Sequence, residues 1–521
     1  MKNYIKFLPF LAMGFLSCEP ELDNPIDEAG FYTAGEADFS NYVALGNSLA
    51  AGYADGALYI TGQENSYPNI MAQQFAKVQV TNGFTQPLMN DNAGGLLMGG
   101  TQITSNRRVL AVGANGNPSP QVYAGMKPTT DITNVLSGPF NNMGVPGAKS
   151  FHLLAPGYGN IAGVPLGTAN PYFVRFASSP QASILADAVA QNPTFFSVMA
   201  GENDVLSFAT SGGVGMDQTG NTDITSYGPN DITDPQVFAS VYSQIVTAMV
   251  DTGADGVLTS VPDVTAIPYF TTIPNNALVL DAATAASLTG FFQAVAGIFA
   301  QGAIQQGASP EQAQALAAQY AITFNAGPNR FLIDVPVSQM NPLGFRQMTE
   351  DELLVLTIDQ QALAQGYGSV VLTPEVMQVL GLLQQGGQPT QEQAQLVLNA
   401  VSGIDDKDAL DNQEIQAIAT ATNAYNATIK ALAQANGLAF ADVNAFLTQV
   451  ANGGIPFDAG TVTAQFVTGG AFSLDGVHPT PRGYAAIANL VIDEVNRTYR
   501  SNVPKVNIGN YGTVTLSNDV Q

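Results

Sequence analysis

Asn41-Tyr-Val-Ala-Leu-Gly-Asn-Ser48-Leu49 is the stretch from which the rest of the chain can be read. Residues 42–48 begin as a short apolar run, the composition of a buried strand. Glycine, asparagine and serine follow at once, and these are turn residues. A hydroxyl therefore sits where a strand ends. The same arrangement recurs downstream. Residues 194–200 (TFFSVMA) read as a second strand, after a helical stretch over 183–190. Residues 238–250 have helical periodicity and lead into 256–261 (GVLTSV), a third strand. Asp411-x-x-Glu414 is a capping-box signature at a helix start. That helix runs to about Ala435, Gly437 is its C-terminal cap, and 438–443 is the next strand. Thr480 is an N-cap with Pro481 at the first helical position, opening a helix to about Tyr499. Alternating strands and helices predict the α/β class, a parallel sheet with helices on both faces. In such sheets ligands bind outside the carboxyl ends of the strands. Ser48 lies at one such end.

A core of this kind needs ~200 residues, so much of the 521-residue chain is insertion. Three stretches stand out. Residues 54–140 are Gly/Asn-rich and weakly periodic. Residues 206–234 are polar and rich in Gly and Thr. Residues 268–410 are the largest, with helix starts at Ser309-Pro310, Thr349-x-x-Glu352, Thr373-Pro374 and Thr390-x-x-Gln393. Within them, 281–305 carries Leu288, Phe291, Phe292, Val295, Ile298 and Phe299 at spacings of three and four, one face of a helix. The expectation is a helical cap over the ligand end of the sheet, with this face either packed under other helices of the insert or closing in part over Ser48 to shelter an acyl chain.

The N-terminus, MKNYIKFLPFLAMGFLSCEPELDNP, has Lys2 and Lys6 ahead of a ten-residue apolar run too short to span a bilayer. This is a secretory signal pattern over 1–17. The only cysteine, Cys18, follows Ser17 and resembles a lipobox cysteine, acylated after cleavage. Two or three acyl chains anchor a protein stably where one does not. Residues 18–38 are polar and acidic and read as a tether. The folded body is then 39–521.

The chain has 16 Lys+Arg against 41 Asp+Glu, a net charge of −25. This balance argues against nucleic acid and against electrostatic docking on anionic lipid. Only 11% of residues are charged, so Gly, Asn, Gln, Ser and Thr supply much of the surface.

Two histidines, His152 and His478, are the whole supply of imidazole. His478 stands in Asp475-Gly-Val-His478-Pro479, three residues after a carboxylate. A hydroxyl, an imidazole and a carboxylate are the parts of a nucleophilic triad. Oxyanion donors come from two further blocks. In Asn142-Met-Gly144-Val-Pro-Gly147-Ala148, glycine lets the backbone aim an N–H at a ligand. In Gly201-Glu202-Asn203-Asp204, the asparagine amide is a neutral donor. His152 reads as a histidine satisfied by local hydrogen bonds. Asp405, Asp406, Asp408 and Asp411 lack the glycine and terminal glutamate of a calcium loop and read as a solvated loop with an N-cap. No metal and no cofactor is assigned.

These four blocks, in this order, resemble the GDSL/SGNH hydrolase superfamily, and the overall look is similar to its long lipoprotein members in Bacteroidetes. The resemblance covers roughly 41–48, 140–150, 194–204 and 472–499. It implies a flavodoxin-like three-layer α/β/α fold and hydrolysis of esters through an acyl-enzyme. It implies Ser48 as nucleophile, His478 as general base and Asp475 as the group that orients it. The N–H groups of Ser48 and Gly147 and the side chain of Asn203 would form the oxyanion hole. The family motif Gly-Asp-Ser-Leu is Gly46-Asn47-Ser48-Leu49 here, a change that leaves the triad intact. The expected substrate is a lipid or fatty-acyl ester, with an acetylated or acylated glycan as the alternative. A non-catalytic surface binding protein and an acyltransferase are the other readings. The expected location is the cell envelope, as an outer-membrane lipoprotein anchored through Cys18.

Overall fold

The computed structural model describes residues 31–113, 116–517 and 520. The expected signal segment, Cys18 and the tether up to residue 30 lie outside the described residues. From Thr33 onward the chain is bonded to the body: Glu36 N donates to Tyr499 O at 2.7 Å and Asn502 N to Thr33 O at 3.1 Å. Ala37 and Phe39 are buried in the core. Residues 33–38, expected to be part of the tether, therefore belong to the folded body.

Five strands form one sheet: β1 (Tyr42–Gly46), β2 (Asn142–Gly144), β3 (Phe195–Met199), β4 (Asp255–Thr259) and β5 (Ala439–Ala441). Their order in space is β2-β1-β3-β4-β5, and every neighbouring pair is parallel. Gly46 of β1 pairs with Gly144 of β2 and Met199 of β3, so these three strands end level. All residues of β1 and β3 are buried, as a parallel sheet covered on both faces requires. The order reverses between β1 and β3, which makes their carboxyl ends the switch point where such sheets bind ligands.

The helices that matter here are α1 (Tyr67–Val78), α2 (Ile184–Val189), α3 (Asn203–Thr210), α4 (Pro235–Val250), α5 (Ala282–Gln305), α6 (Asn412–Ala435) and α7 (Pro481–Tyr499). All but α5 share the sheet's core, in two groups. α7 lies on β4 and β5 and against α1, whereas α6 lies on β4 and β5 and against α4, which meets α2. Phe195 of β3 makes edge-on contacts with Phe39, Phe75 of α1 and Tyr499 of α7 at 4.9, 5.4 and 5.8 Å between ring centres. Each such pair adds ~0.5–1.5 kcal/mol to the burial itself. In the other group, Phe238 of α4 stacks on Tyr425 of α6 at 4.1 Å.

Side-chain caps fix several of these helices as the sequence predicts. Ser309, Thr373, Thr390, Asp411 and Thr480 each accept a backbone N–H of the first turn. Thr349-x-x-Glu352 does not open a helix. Glu352 accepts Thr349 N at 2.7 Å, but its carboxylate is gripped by Arg346 at 2.5 and 2.8 Å, and a strand pair follows at Leu353–Leu354. An ion pair there outcompetes the capping role.

Two expectations about insertions change. Residues 54–140 are not all insertion, because they contain α1, a helix of the sheet layers. The large 268–410 segment carries a core of its own. Leu288, Phe291, Phe292 and Val295 of α5 are buried there with Tyr320, Phe324, Phe345 and Val376, and Ile298 and Phe299 pack against them. α5 is also the one helix among the described residues long and apolar enough to cross a membrane, with mean hydropathy 1.4. Its apolar face is committed to this second core rather than to Ser48. The segment meets the sheet's ligand end elsewhere, where Tyr269 N donates to Gly476 O at 2.9 Å.

Candidate active site

β1 ends at Gly46 and leads through Asn47 into a single helical turn, Ser48–Ala51. Asn47 caps that turn by accepting Leu49 N on Oδ1 at 3.0 Å. The turn lies hard against β2: a Cβ on Gly144 would stand 2.4 Å from Ala51 N, so only glycine permits the approach. Ser48 is 6% exposed, at the surface of this turn.

The base arrives from the far end of the chain, on the loop before α7. Asp475 shapes that loop by accepting Val477 N and His478 N on Oδ1, both at 2.9 Å, an Asx-type turn. The same turn aims the imidazole. His478 Nδ1 lies 2.8 Å from Asp475 Oδ2, and His478 Nε2 lies 2.9 Å from Ser48 Oγ. A carboxylate beside Nδ1 keeps the ring proton on that nitrogen and leaves the Nε2 lone pair facing the serine hydroxyl. The ring of Tyr53 stands 4.7 Å from the imidazole. Burial alone would raise the Asp475 pKa. The adjacent His478, through charge and hydrogen bonds, and the Val477 N–H outweigh it and hold the carboxyl well below the usual carboxylate range.

Asp475 is also held from behind. Gly56 N donates to its Oδ2 at 2.9 Å and Ser473 Oγ to its Oδ1 at 3.0 Å. Ser473 Oγ in turn accepts Asp55 N at 2.8 Å, and Asp55 Oδ1 accepts Leu474 N at 3.0 Å. Asp55 Oδ2 pairs with Arg107 at 2.6 Å and accepts Tyr59 OH at 2.8 Å. Both partners of this ion pair are buried, with side chains 3% and 4% exposed.

The two remaining blocks stand beside Ser48 at the ends of β2 and β3. Val145 N donates to Gly46 O at 3.0 Å, which fixes the path from β2 to Gly147. Gly147 has φ +80°, a conformation that favours glycine. Among the described residues, neither Ser48 N–H nor Gly147 N–H has a hydrogen-bond partner. Asn203 begins α3, and its Nδ2 donates to Ala148 O at 2.9 Å. That bond uses one of two amide hydrogens. Asp204 ties the blocks together by accepting Ser150 N at 2.8 Å and Ser150 Oγ at 2.7 Å. His152 Nδ1 accepts Lys149 N at 3.0 Å and its ring stacks on Tyr158. Burial, then the Lys149 charge, pulls its pKa down to about 4, so it is a neutral structural residue.

The structure thus brings together Ser48, His478 and Asp475, with Gly147 and Asn203 on the flanking strand ends. Cys18 lies outside the described residues. Among the described residues no group of three or more His, Cys, Asp or Glu could hold a metal ion. Sequence reasoning missed the support: Ser473, Gly56, and the Asp55–Arg107 pair. Arg107-Arg108 was a visible signal, an adjacent basic pair in a chain with only 16 Lys+Arg. It also missed Glu202, which receives the Asn47 Nδ2 hydrogen bond at 2.5 Å.

The arrangement can pass a proton from the Ser48 hydroxyl to the His478 imidazole, and the free N–H groups of Ser48 and Gly147 lie at neighbouring strand ends. No protein-family model matches the chain, and comparison with curated proteins and with solved structures gives no match.

Proposed function

We propose that this chain is a serine ester hydrolase of the SGNH type, exported and anchored to the cell envelope through Cys18. The observation that carries the reading is the continuous Asp475–His478–Ser48 contact, 2.8 and 2.9 Å, at the carboxyl end of β1. The strand order 2-1-3-4-5 is the flavodoxin-like one, in keeping with that superfamily.

In this mechanism Ser48 Oγ attacks the ester carbonyl as His478 Nε2 takes its proton. The C–O⁻ of the tetrahedral intermediate is received by the N–H groups of Ser48 and Gly147 and the Asn203 amide. The ester C–O bond breaks, and the alcohol leaves with the proton from His478. The acyl group stays on Ser48. A water molecule then gives its proton to His478 and attacks the acyl carbon, and the acid departs as Ser48 recovers its proton. An alcohol in place of water makes the same site an acyltransferase.

The substrate is a carboxylic ester of a lipid or of an acylated glycan. One observation favours the glycan reading: the α5 face expected to shelter a long acyl chain is buried in the insert's own core. The test is labelling with a fluorophosphonate probe and turnover on esters of increasing acyl length. Ser48→Ala should abolish both while leaving the fold intact. A wild-type protein that takes up no probe and cleaves no ester is a binding protein, and the hydrolase reading is then wrong.

A further inference from the structure

Beneath the nucleophile lies a pair that the triad does not use. Asn47 and Glu202 are 0% and 3% exposed. Asn47 reaches both ways: its Oδ1 accepts Leu49 N, one residue past the nucleophile, and its Nδ2 donates to Glu202 Oε2 at 2.5 Å. Glu202 immediately precedes Asn203. One carboxamide therefore ties the turn bearing Ser48 to the turn bearing the third oxyanion donor.

We propose that Glu202 is a positioning residue for Ser48, and that Asn47 and Glu202 form a reciprocal pair in which the amide at 47 requires the acceptor at 202. The proposal rests on the hydrolase reading of the site. Its logic is donor–acceptor complementarity. The contact has room for one hydrogen between two oxygen- or nitrogen-bearing groups. Asn47 supplies it here and Glu202 receives it. The Asp of the family motif at 47 would set two acceptors against each other at this distance. The same contact can be built with polarity reversed, Asp at 47 and Gln at 202. The departure Asn47 is then half of a matched exchange rather than a loss.

The surroundings fit. Glu202 faces Tyr67 of α1, Tyr242 of α4 and Asp204 of its own helix, and no cation is among these groups. Its Oε1 has no partner among the described residues. Burial, with the Asp204 charge adding to it, pushes its pKa up to about 7. A second carboxylate at 47 would have nothing to neutralise it, and like charges this close cannot both ionise.

The experiment compares wild type, Asn47→Asp, Glu202→Leu and the Asn47→Asp/Glu202→Gln double variant. Turnover of p-nitrophenyl acetate, fluorophosphonate labelling rate and urea midpoint are measured across pH. Asn47→Asp and Glu202→Leu should each lower kcat ~10-fold or more with little change in KM, the signature of a misaligned nucleophile. The double variant should regain most of that loss. The ratio of Asn47→Asp to wild-type activity should rise as pH falls and the carboxylate pair takes up a proton. Wild-type turnover in Asn47→Asp, or no recovery on adding Glu202→Gln, overturns the proposal while leaving the hydrolase reading standing. If wild type itself is not labelled, the hydrolase reading fails and the positioning role falls with it. The urea midpoints still decide the pairing: a lowered midpoint in Asn47→Asp restored in the double variant upholds it, and equal midpoints refute it.

Discussion

Replacing Asp475 by asparagine tests the site most sharply, because size is kept and only the hydrogen-bond polarity changes. Asp475 accepts every bond it makes. Oδ2 takes His478 Nδ1 at 2.8 Å and Gly56 N at 2.9 Å. Oδ1 takes Val477 N and His478 N at 2.9 Å and Ser473 Oγ at 3.0 Å. An amide has one acceptor oxygen. Keeping it on the Oδ1 side, where three donors converge, turns the NH2 toward His478 Nδ1 and Gly56 N–H. Nδ1 must then accept, so the ring proton moves to Nε2. Nε2 now offers Ser48 a hydrogen instead of a lone pair, and the hydroxyl has no base. Loss of the carboxylate that fixes the tautomer costs about 10⁴ in turnover, or roughly 5.5 kcal/mol of barrier. The clash with Gly56 N–H adds a stability cost of ~1–3 kcal/mol for an unmade buried bond. The assay is kcat on p-nitrophenyl acetate together with the fluorophosphonate labelling rate, with circular dichroism to establish that the variant is folded. A folded Asp475→Asn protein that keeps more than about a tenth of wild-type turnover would refute the triad assignment, given the ~10⁴-fold expectation.

Other consequences can be measured in the same protein. Asn203→Ala removes one of the three proposed oxyanion donors, so kcat should fall ~10²–10³-fold with KM nearly constant; an effect confined to KM would reassign Asn203 to ground-state binding. Arg107→Met leaves the buried Asp55 carboxylate unpaired, so the unfolding free energy should drop by ~3–5 kcal/mol in urea titration. Asp55→Asn added to Arg107→Met should return part of that, and no change on the single substitution would mean the pair is not coupled to folding. Stability should depend on pH with two opposite signs. Asp475, whose pKa is lowered in the fold, contributes stability above its unfolded pKa of ~3.9 that is lost as pH falls below it. Glu202, raised to about 7, favours the fold below its unfolded pKa of ~4.3 and loses that contribution as pH rises toward neutrality. Glu202→Gln should flatten the second slope, and parallel wild-type and variant curves through that window would contradict it.

The reading from sequence succeeded where local chemistry is self-sufficient. Strands β1, β3 and β4 are short, mostly apolar runs, and the caps at Asp411 and Thr480 are satisfied by residues two or three positions away. The Asp475–His478 contact was legible for the same reason: the two belong to one turn, and histidine is scarce. β2 was missed as a strand because three residues, Asn142–Gly144, carry too little pattern, and its place is set by pairing with Ala44 to Gly46. α1 was lost in its Gly/Asn-rich surroundings, although Tyr67, Ile70, Met71 and Phe75 do follow helical spacing and are buried. The support behind Asp475 was illegible because its members, Asp55, Arg107 and Ser473, are far apart in sequence. The face of α5 was read correctly as apolar. What covers it could not be read, since periodicity reports that a face is buried and not against what.

The sequence distance within the triad sets a clock. Ser48 and His478 are 430 residues apart. At a synthesis rate of roughly 5–20 residues per second, Ser48 leaves the ribosome some 20–90 s before His478. During that interval the hydroxyl has no imidazole and the Asp475 loop does not exist. The 268–410 segment must also emerge before the loop can be made. On the proposed mechanism, a chain that stops short of His478 is inert toward esters, however well its first three strands pair. If the proposed mechanism holds, the onset of fluorophosphonate labelling during synthesis reports that the Asp475–His478 loop has been made and has docked against Ser48.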